Sequence, residues 1–137
     1  MSRCVLIRAG DTYEGRQGLG YAAGVTGTSA GSRGLCLTAT TVPPGGRSRA
    51  HLHRGIESAG YVIEGELVTL FGARLEQRVL ASAGDFVYIP PDAPHLVANV
   101  GDAPARGLVA HSAPDDQAGI VLLPDLDAPT PWRRNGA

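Results

Sequence analysis

Residues 45–65 read GGRSRAHLHRGIESAGYVIEG, and residues 84–99 read GDFVYIPPDAPHLVAN. The first stretch carries His51 and His53, and their separation of two residues places both imidazoles on one face of an extended strand. The second stretch carries His95 shortly after a turn-forming Pro-Pro-Asp sequence, from which a strand can return a third imidazole to the same point. Three convergent histidines favour a divalent transition metal with coordination positions left open for water or a substrate.

The order and spacing of these residues resemble the two motifs of the cupin superfamily, written G-x5-H-x-H-x3,4-E-x6-G and G-x5-P-x-G-x2-H-x3-N. The matching positions are Gly45, His51, His53 and Gly65 in the first motif and Gly84, Pro90, His95 and Asn99 in the second. Asp92 replaces the turn glycine of the family, and Asp tolerates the left-handed backbone conformation better than most residues. The resemblance implies an all-β, double-sheet jelly-roll β-barrel that binds a metal ion through His51, His53 and His95.

Glu57 is the candidate fourth metal ligand, and its position leaves two arrangements open. Glu57 follows His53 after three residues, as the family pattern allows, but seven residues rather than six separate it from Gly65. Counting back from Gly65 therefore places Ser58 at the usual glutamate position. Because side chains alternate along a strand, Glu57 reaches the ion only where a loop or a bulge redirects it. In the alternative arrangement the site consists of three histidines.

Side chains near the expected site are also candidates for acid–base chemistry. Glu57 can serve as general base as well as fourth ligand. His111 ends a predicted strand beside the site, where an imidazole can act as acid or base, although a histidine at the solvent-exposed rim is the alternative. Tyr61 and Tyr88 lie in predicted core strands, where a phenol can bind or protonate a substrate oxygen or simply pack with its hydroxyl satisfied.

The composition limits the class of function. A chain of 137 residues is long enough for one domain with its own core. The net charge is −1, with no run of like charges, which predicts no nucleic-acid or membrane partner and favours a small molecule. All basic residues are arginine, which excludes lysine-based Schiff-base chemistry. Cys4 and Cys36 lack zinc-site spacing, and no signal peptide is apparent, so we expect a reduced, cytoplasmic protein.

Short alternating apolar runs, separated by glycine and proline, predict strands throughout the chain. The predicted strands are 4–8, 34–42, 51–53, 59–64, 66–71, 75–81, 85–89, 95–100, 105–111 and 120–123. Residues 10–34 contain eight glycines, too many for a continuous strand or helix, and are expected to wrap the barrel as an arm. Residues 124–137 are expected to form an extended tail, docked through Trp132.

Such arms often complete the sheet of a partner subunit, and twofold dimers are the commonest soluble oligomers, so we expect a homodimer. Two classes of function remain. The first is a metal-dependent enzyme acting on a small oxygenated molecule, either a dioxygenase-type oxidoreductase or a Lewis-acid lyase, isomerase or cyclase using Fe, Mn, Ni, Zn or Cu. The second is a non-catalytic cupin that binds a small ligand or a metal as a sensor or store. A metal-free sugar epimerase is disfavoured because its chemistry needs no histidine cluster of this form.

Overall fold

Antiparallel strands make up most of the regular structure in residues 3–127, which are the residues that the computed structural model describes. The strands are β1 (Thr12–Glu14), β2 (Gly20–Val25), β3 (Cys36–Val42), β4 (His51–His53), β5 (Ser58–Glu64), β6 (Glu66–Phe71), β7 (Gln77–Ser82), β8 (Phe86–Ile89), β9 (His95–Ala98), β10 (Ala105–His111) and β11 (Ile120–Leu122). A single-turn helix, α1, spans Gly27–Ala30, and a short 3-10 helix spans Pro124–Leu126. No helix in the described part of the chain is long and apolar enough to cross a membrane.

The strands form two sheets. One has six strands in the order β1-β2-β3-β10-β5-β8, and the other has five in the order β11-β4-β9-β6-β7. Their inner faces share an apolar cluster made of Leu19, Tyr21, Val42, Val62, Leu67, Ala81 and Ala105. The predicted all-β, double-sheet jelly-roll architecture is confirmed.

The outer face of the five-stranded sheet is also covered. Leu96 and Ala98 of β9, together with Ala50 and Val68, form a second buried cluster against which Leu123 and other partly buried side chains pack. The outer face of the six-stranded sheet is more open, because Leu37 of β3 is 38% exposed there. Burial of apolar surface therefore stabilises the five-stranded sheet from both sides.

Nine of the ten predicted strands are confirmed, with ends displaced by at most two residues. The prediction of a strand at residues 4–8 was wrong. That segment has no regular structure, and its Val5 and Leu6 side chains are 53% and 76% exposed. An apolar run alone is insufficient for a strand, because a strand also needs a neighbouring backbone to pair with.

The expectation that residues 10–34 contain no continuous strand was also wrong, since β1 and β2 form a hairpin that joins the six-stranded sheet through β3. The pairing of β2 with β3 shifts register between Ala23 and Val25. A Cβ atom on the intervening Gly24 would lie 2.6 Å from the Leu37 carbonyl oxygen, so glycine permits this close approach. Trp132, which was expected to dock the tail, lies outside the described residues.

Three residues of the sequence motifs have structural rather than chemical roles. Gly65 adopts φ +80°, and an added Cβ would lie 2.8 Å from a backbone oxygen. Asp92 adopts φ 63°, as expected for a residue that replaces the turn glycine, and ties the turn before β9 to the end of β4 by two hydrogen bonds. The Asn99 side chain is buried and hydrogen-bonds three backbone groups. The contacts of Asp92 and Asn99 thus lie at the two ends of β9, and those of Asp92 also hold the end of β4.

Candidate metal centre

Three of the predicted site residues come together at one end of the space between the sheets. His51 of β4 lies directly opposite His95 of β9 in the antiparallel ladder, and His53 follows on the same face of β4. One ring nitrogen from each of the three histidines lies within 4.8 Å of the others. All three side chains are buried, with exposed fractions of 3–4%. The spacing of two residues therefore places His51 and His53 on the same face of β4, as predicted from side-chain alternation.

The other ring nitrogens are held by the backbone. His51 Nδ1 lies 2.6 Å from the Arg49 carbonyl oxygen, and His95 Nδ1 lies 2.9 Å from the Ala93 carbonyl oxygen. Since a carbonyl oxygen can only accept, each Nδ1 carries the proton and each Nε2 keeps its lone pair. This is the form of imidazole that ligates a metal.

His53 differs from the other two members of the cluster. Its Nδ1 is buried without a hydrogen-bond partner. The backbone of Ala118 is near enough to oppose the lowering of the His53 pKa, but it is not in hydrogen-bonding geometry with Nδ1. An unpaired buried nitrogen costs free energy, and coordination of a metal by Nδ1 itself would offset that cost.

The environment keeps the cluster uncharged. Burial, followed by the repulsion of neighbouring imidazoles, lowers the pKa of His51 to about 3. Burial and the neighbouring His53 lower the pKa of His95 to about 4. Burial also lowers the pKa of His53, against the opposing effects of the Ala118 backbone and Asp116. Neutral imidazoles with convergent nitrogens fit a divalent transition metal such as Fe, Mn, Ni, Zn or Cu.

The structure does not bring Glu57 to these histidines. Its side chain is exposed, and its carboxylate accepts a hydrogen bond of 2.8 Å from the hydroxyl of Tyr88, which is 60% exposed. The reason is the start of β5: Ser58 is its first residue and faces inward, so Glu57, one residue earlier, lies outside the cavity. Of the two arrangements that the sequence left open, the described residues adopt the three-histidine cluster.

His111 lies on the opposite sheet and faces the cluster. It is buried rather than at a solvent-exposed rim, with 6% of its side chain exposed, and its ring centroid lies 4.6 Å from that of His53. Burial, followed by the neighbouring imidazoles of the cluster, lowers its pKa to about 4. In the ladder between β10 and β5, His111 pairs with Ser58, and Ser58 Oγ lies 2.7 Å from His111 Nδ1.

The pairing of Ser58 with His111 was not predicted from the sequence. Counting back from Gly65 had placed Ser58 at an inward position, which was a signal that it belonged to the site. Its pairing with a strand more than fifty residues later was not visible in any local pattern.

A cavity of about 100 Å³ lies beside the histidines. An apolar cavity of about 150 Å³ holds benzene, so this slightly smaller space suits a molecule of only a few non-hydrogen atoms. Its walls are mostly apolar, and among the described residues no acidic side chain and no arginine lines it. Tyr61 borders the cavity but does not direct its ring into it. It lies three residues after the inward-facing Ser58, and its ring packs 4.8 Å from that of Phe86, which is 79% exposed. The structure therefore does not place the Tyr61 hydroxyl in the site. The arrangement provides a small space in which a ligand meets four imidazoles.

Comparison with known proteins agrees with this architecture. Residues 39–111 match the family model described as the cupin domain. An uncharacterized protein of Methanocaldococcus jannaschii is 34% identical over 88 residues, which cover 64% of this chain and 67% of that protein. Germin-like protein subfamily T member 3 of Arabidopsis thaliana is 34% identical over 94 residues, which cover 66% of this chain and 40% of the germin-like protein.

Solved structures are also similar, and one of them matches a larger part of this chain. Oxalate decarboxylase from Bacillus subtilis is 25% identical with a TM-score of 0.68, and the match covers 83% of this chain and 30% of the decarboxylase. A further structure of that decarboxylase is described with Mn(II) centres. The TT1209 protein from Thermus thermophilus is 30% identical with a TM-score of 0.54, over 60% of this chain and 75% of TT1209. The chain thus spans less than half the length of the germin-like protein and of the decarboxylase.

Proposed function

Because this chain belongs to the cupin superfamily, as the match to the cupin domain shows, we propose that it is a metal-dependent enzyme that acts on a small oxygenated organic molecule. One observation carries the proposal: three buried, neutral imidazoles converge beside a cavity of about 100 Å³. His51, His53 and His95 are the proposed ligands, and the Mn(II) centres of the similar decarboxylase support a divalent ion.

A bound ion would supply a Lewis acid that lowers the pKa of a chelated enol, keto acid or hydroxy acid, and a redox-active ion would add chemistry with O2. The protein itself provides the surroundings of the substrate. The cavity admits only a small molecule, and its apolar walls limit water around the reacting atoms. His111 is the group best placed to exchange or hold a proton, because its imidazole lines the cavity beside the cluster. The proposed reaction class is therefore dioxygenase-type oxidation, or a lyase, isomerase or cyclase reaction.

The position of Glu57 favours a second candidate function. With this carboxylate outside the cavity, the walls offer no acidic side chain as a general base among the described residues. A cupin that holds a small ligand or a metal without transforming it, as a sensor or a store, would need no such base. Turnover of a candidate substrate by the metal-loaded protein separates the two functions.

The remaining proposals concern the setting in which the protein works. We propose a homodimer, which is supported by exposed apolar side chains on β8, the edge strand of the six-stranded sheet, where Phe86 is 79% exposed. A reducing, cytoplasmic setting is supported by Cys4 and Cys36, which are both free.

Elemental analysis of the protein, expressed without an affinity tag and purified anaerobically, tests the proposed function. We expect near-stoichiometric metal in the parent protein and its loss in His51→Ala, His53→Ala and His95→Ala. Glu57→Ala is the matched control and should retain the metal. Iron, copper or nickel would direct the next assay to O2 uptake, and zinc or manganese to lyase and isomerase substrates. A parent protein that takes up no metal, even after reconstitution, would contradict the metal-dependent mechanism.

A further inference from the structure

The four buried histidines differ in the chemical nature of their hydrogen-bond partners. His51 and His95 each contact a backbone carbonyl through Nδ1, and a carbonyl can only accept. His111 instead contacts the hydroxyl of Ser58 through Nδ1, at 2.7 Å, and a hydroxyl can either donate or accept. The tautomer of His111 therefore depends on which way the proton of Ser58 points.

The surroundings of Ser58 indicate that direction. Its side chain is buried, with 3% exposed, and among the described residues Oγ makes no hydrogen bond other than that to His111. If Oγ only accepted from His111, its own proton would have no acceptor among the described protein groups, which is costly for a buried hydroxyl. If Oγ–H donates to Nδ1, that proton is satisfied, and the proton of the imidazole moves to Nε2. His111 then presents an N–H group on the side opposite Ser58, while His51 and His95 present lone pairs.

The charge of the cavity indicates what that N–H would meet. Three neutral ligands contribute no charge to balance a bound divalent ion. Asp116 acts on His53 through its charge, but no acidic side chain of the described residues lines the cavity. A small anion with an oxygen donor offsets that charge and accepts a hydrogen bond as well. The volume of about 100 Å³ limits this anion to a few non-hydrogen atoms.

We propose that His111 is the residue that recognises the bound molecule, a small carboxylate or enolate, by donating a hydrogen bond from Nε2–H to one of its oxygens. Ser58 is the positioning residue that holds His111 in this tautomer. The inference rests on the proposed function, because the anion binds beside the metal. Ser58 occupies the sequence position at which related cupins carry the ligand glutamate. In this proposal Ser58 acts on the substrate, through His111, and not on the metal.

The tautomer can be measured without metal or ligand. In the 15N-labelled protein stripped of metal, long-range 1H–15N correlation spectra distinguish protonated from unprotonated ring nitrogens, and His111→Gln assigns the His111 signals. We expect Nδ1–H for His51 and His95 and Nε2–H for His111. In Ser58→Ala, His111 should become a mixture of tautomers. An Nδ1–H form of His111 in the parent protein, or an unchanged His111 spectrum in Ser58→Ala, would overturn the proposal.

The recognition step is tested with acetate as the probe. The protein is loaded with Co(II), and acetate binding is followed through the visible spectrum of the ion. His111→Ala should weaken acetate binding by about 10- to 100-fold, the usual worth of a hydrogen bond to a charged acceptor. Ser58→Ala should weaken it by only a few-fold, because a mixture of tautomers keeps part of the Nε2–H population. His111→Gln should restore much of the binding, since its amide can place an N–H close to the position of Nε2. Glu57→Gln, which changes the neighbour of Ser58 outside the cavity, should leave acetate binding unchanged.

The outcomes separate the inference from the proposed function. A parent protein that binds no Co(II) would contradict the proposed metal site, while the tautomer measurement would still test the role of Ser58. A protein that binds Co(II), and whose Ser58→Ala and His111→Ala variants bind acetate as tightly as the parent, would overturn the recognition role of His111 and leave the metal site intact.

Discussion

The two sheets contribute different chemistry to one cavity. The five-stranded sheet contributes His51, His53 and His95, and in His51 and His95 a backbone carbonyl fixes the lone pair on Nε2. The six-stranded sheet contributes Ser58 and His111, and in our proposal a hydroxyl fixes the proton on Nε2. The same side chain thus becomes a metal ligand on one sheet and a hydrogen-bond donor on the other. In His51, His95 and His111 the partner of Nδ1 thus decides whether Nε2 offers a lone pair or a proton.

The strongest test of this division compares His51→Ala with His111→Ala in metal affinity. We expect His51→Ala to weaken binding by well over about 100-fold, which exceeds the usual effect of substitutions beyond the direct ligands. His111→Ala should change the affinity by only a few-fold. Competition with a chromophoric chelator measures both. Equal and large losses would show that both sheets ligate the ion and would end the distinction between them.

The sheets should also differ in how much their outer faces stabilise the fold. Leu96→Ala on the five-stranded sheet removes a side chain that is 1% exposed, and we expect a loss of about 3 kcal/mol in the free energy of unfolding. Leu37→Ala is the matched change on the six-stranded sheet, where the side chain is 38% exposed, and should cost less than about 1 kcal/mol. Urea denaturation of both variants is the measurement. Similar losses in the two variants would contradict the conclusion that the outer face of the five-stranded sheet is more deeply buried than that of the six-stranded sheet.

Acidification tests the charge state that both sheets impose on their histidines. The folded-state pKa values of about 3 for His51 and about 4 for His95 and His111 lie below the unfolded value of 6.5. Between these values the unfolded chain binds more protons, so the stability of the metal-free protein should fall as the pH drops from about 6.5 toward 4. Each group contributes up to about 1.4 kcal/mol per pH unit.

Urea denaturation across this pH range measures how the free energy of unfolding changes with pH. A comparison of variants shows how much of that pH dependence comes from the histidines of each sheet. His95→Gln and His111→Gln each remove one titrating group and should each reduce the pH dependence. A stability that stays constant between pH 6.5 and 4 would contradict the burial of neutral imidazoles.

The smallest effect is expected for Glu57→Ala. The Glu57–Tyr88 hydrogen bond lies at the surface, so its loss should change the free energy of unfolding by no more than about 0.5 kcal/mol. Metal affinity should stay within about twofold of the parent value in the chelator competition. A tenfold loss of affinity would instead mean that Glu57 moves to the ion, and the six-stranded sheet would then contribute a ligand.

The predictable part of the site is the part that depends on local geometry. Alternation along an extended strand was sufficient to bring His51 and His53 together, because their spacing is a property of three consecutive residues. The choice between Glu57 and Ser58 depended on where β5 begins, which is set by pairing with β10 and β8 and not by the residues themselves. The same limit applies to His111, whose burial follows from that pairing.

Much of the fold was also predictable, because strand positions too depend on the local alternation of side chains. The alternating runs identified nine strands, since alternation reports one buried and one open face. Glycine content was a poor predictor at residues 10–34, because Gly24 marks a place where two strands approach closely and not the end of a strand. In residues 4–8 the apolar pattern is present, but no strand of the described chain pairs with it.

The ladder between β4 and β9 contains one residue pair, His51 with His95, and those residues are 44 positions apart in the chain. An ion held by both would therefore act as a removable cross-link that closes a long loop. Since the unfolded chain does not assemble this pair, each tenfold rise of free metal above its dissociation constant would add about 1.4 kcal/mol to the stability of the fold. The supply of metal in the cell would then set the lifetime of the protein as well as its activity.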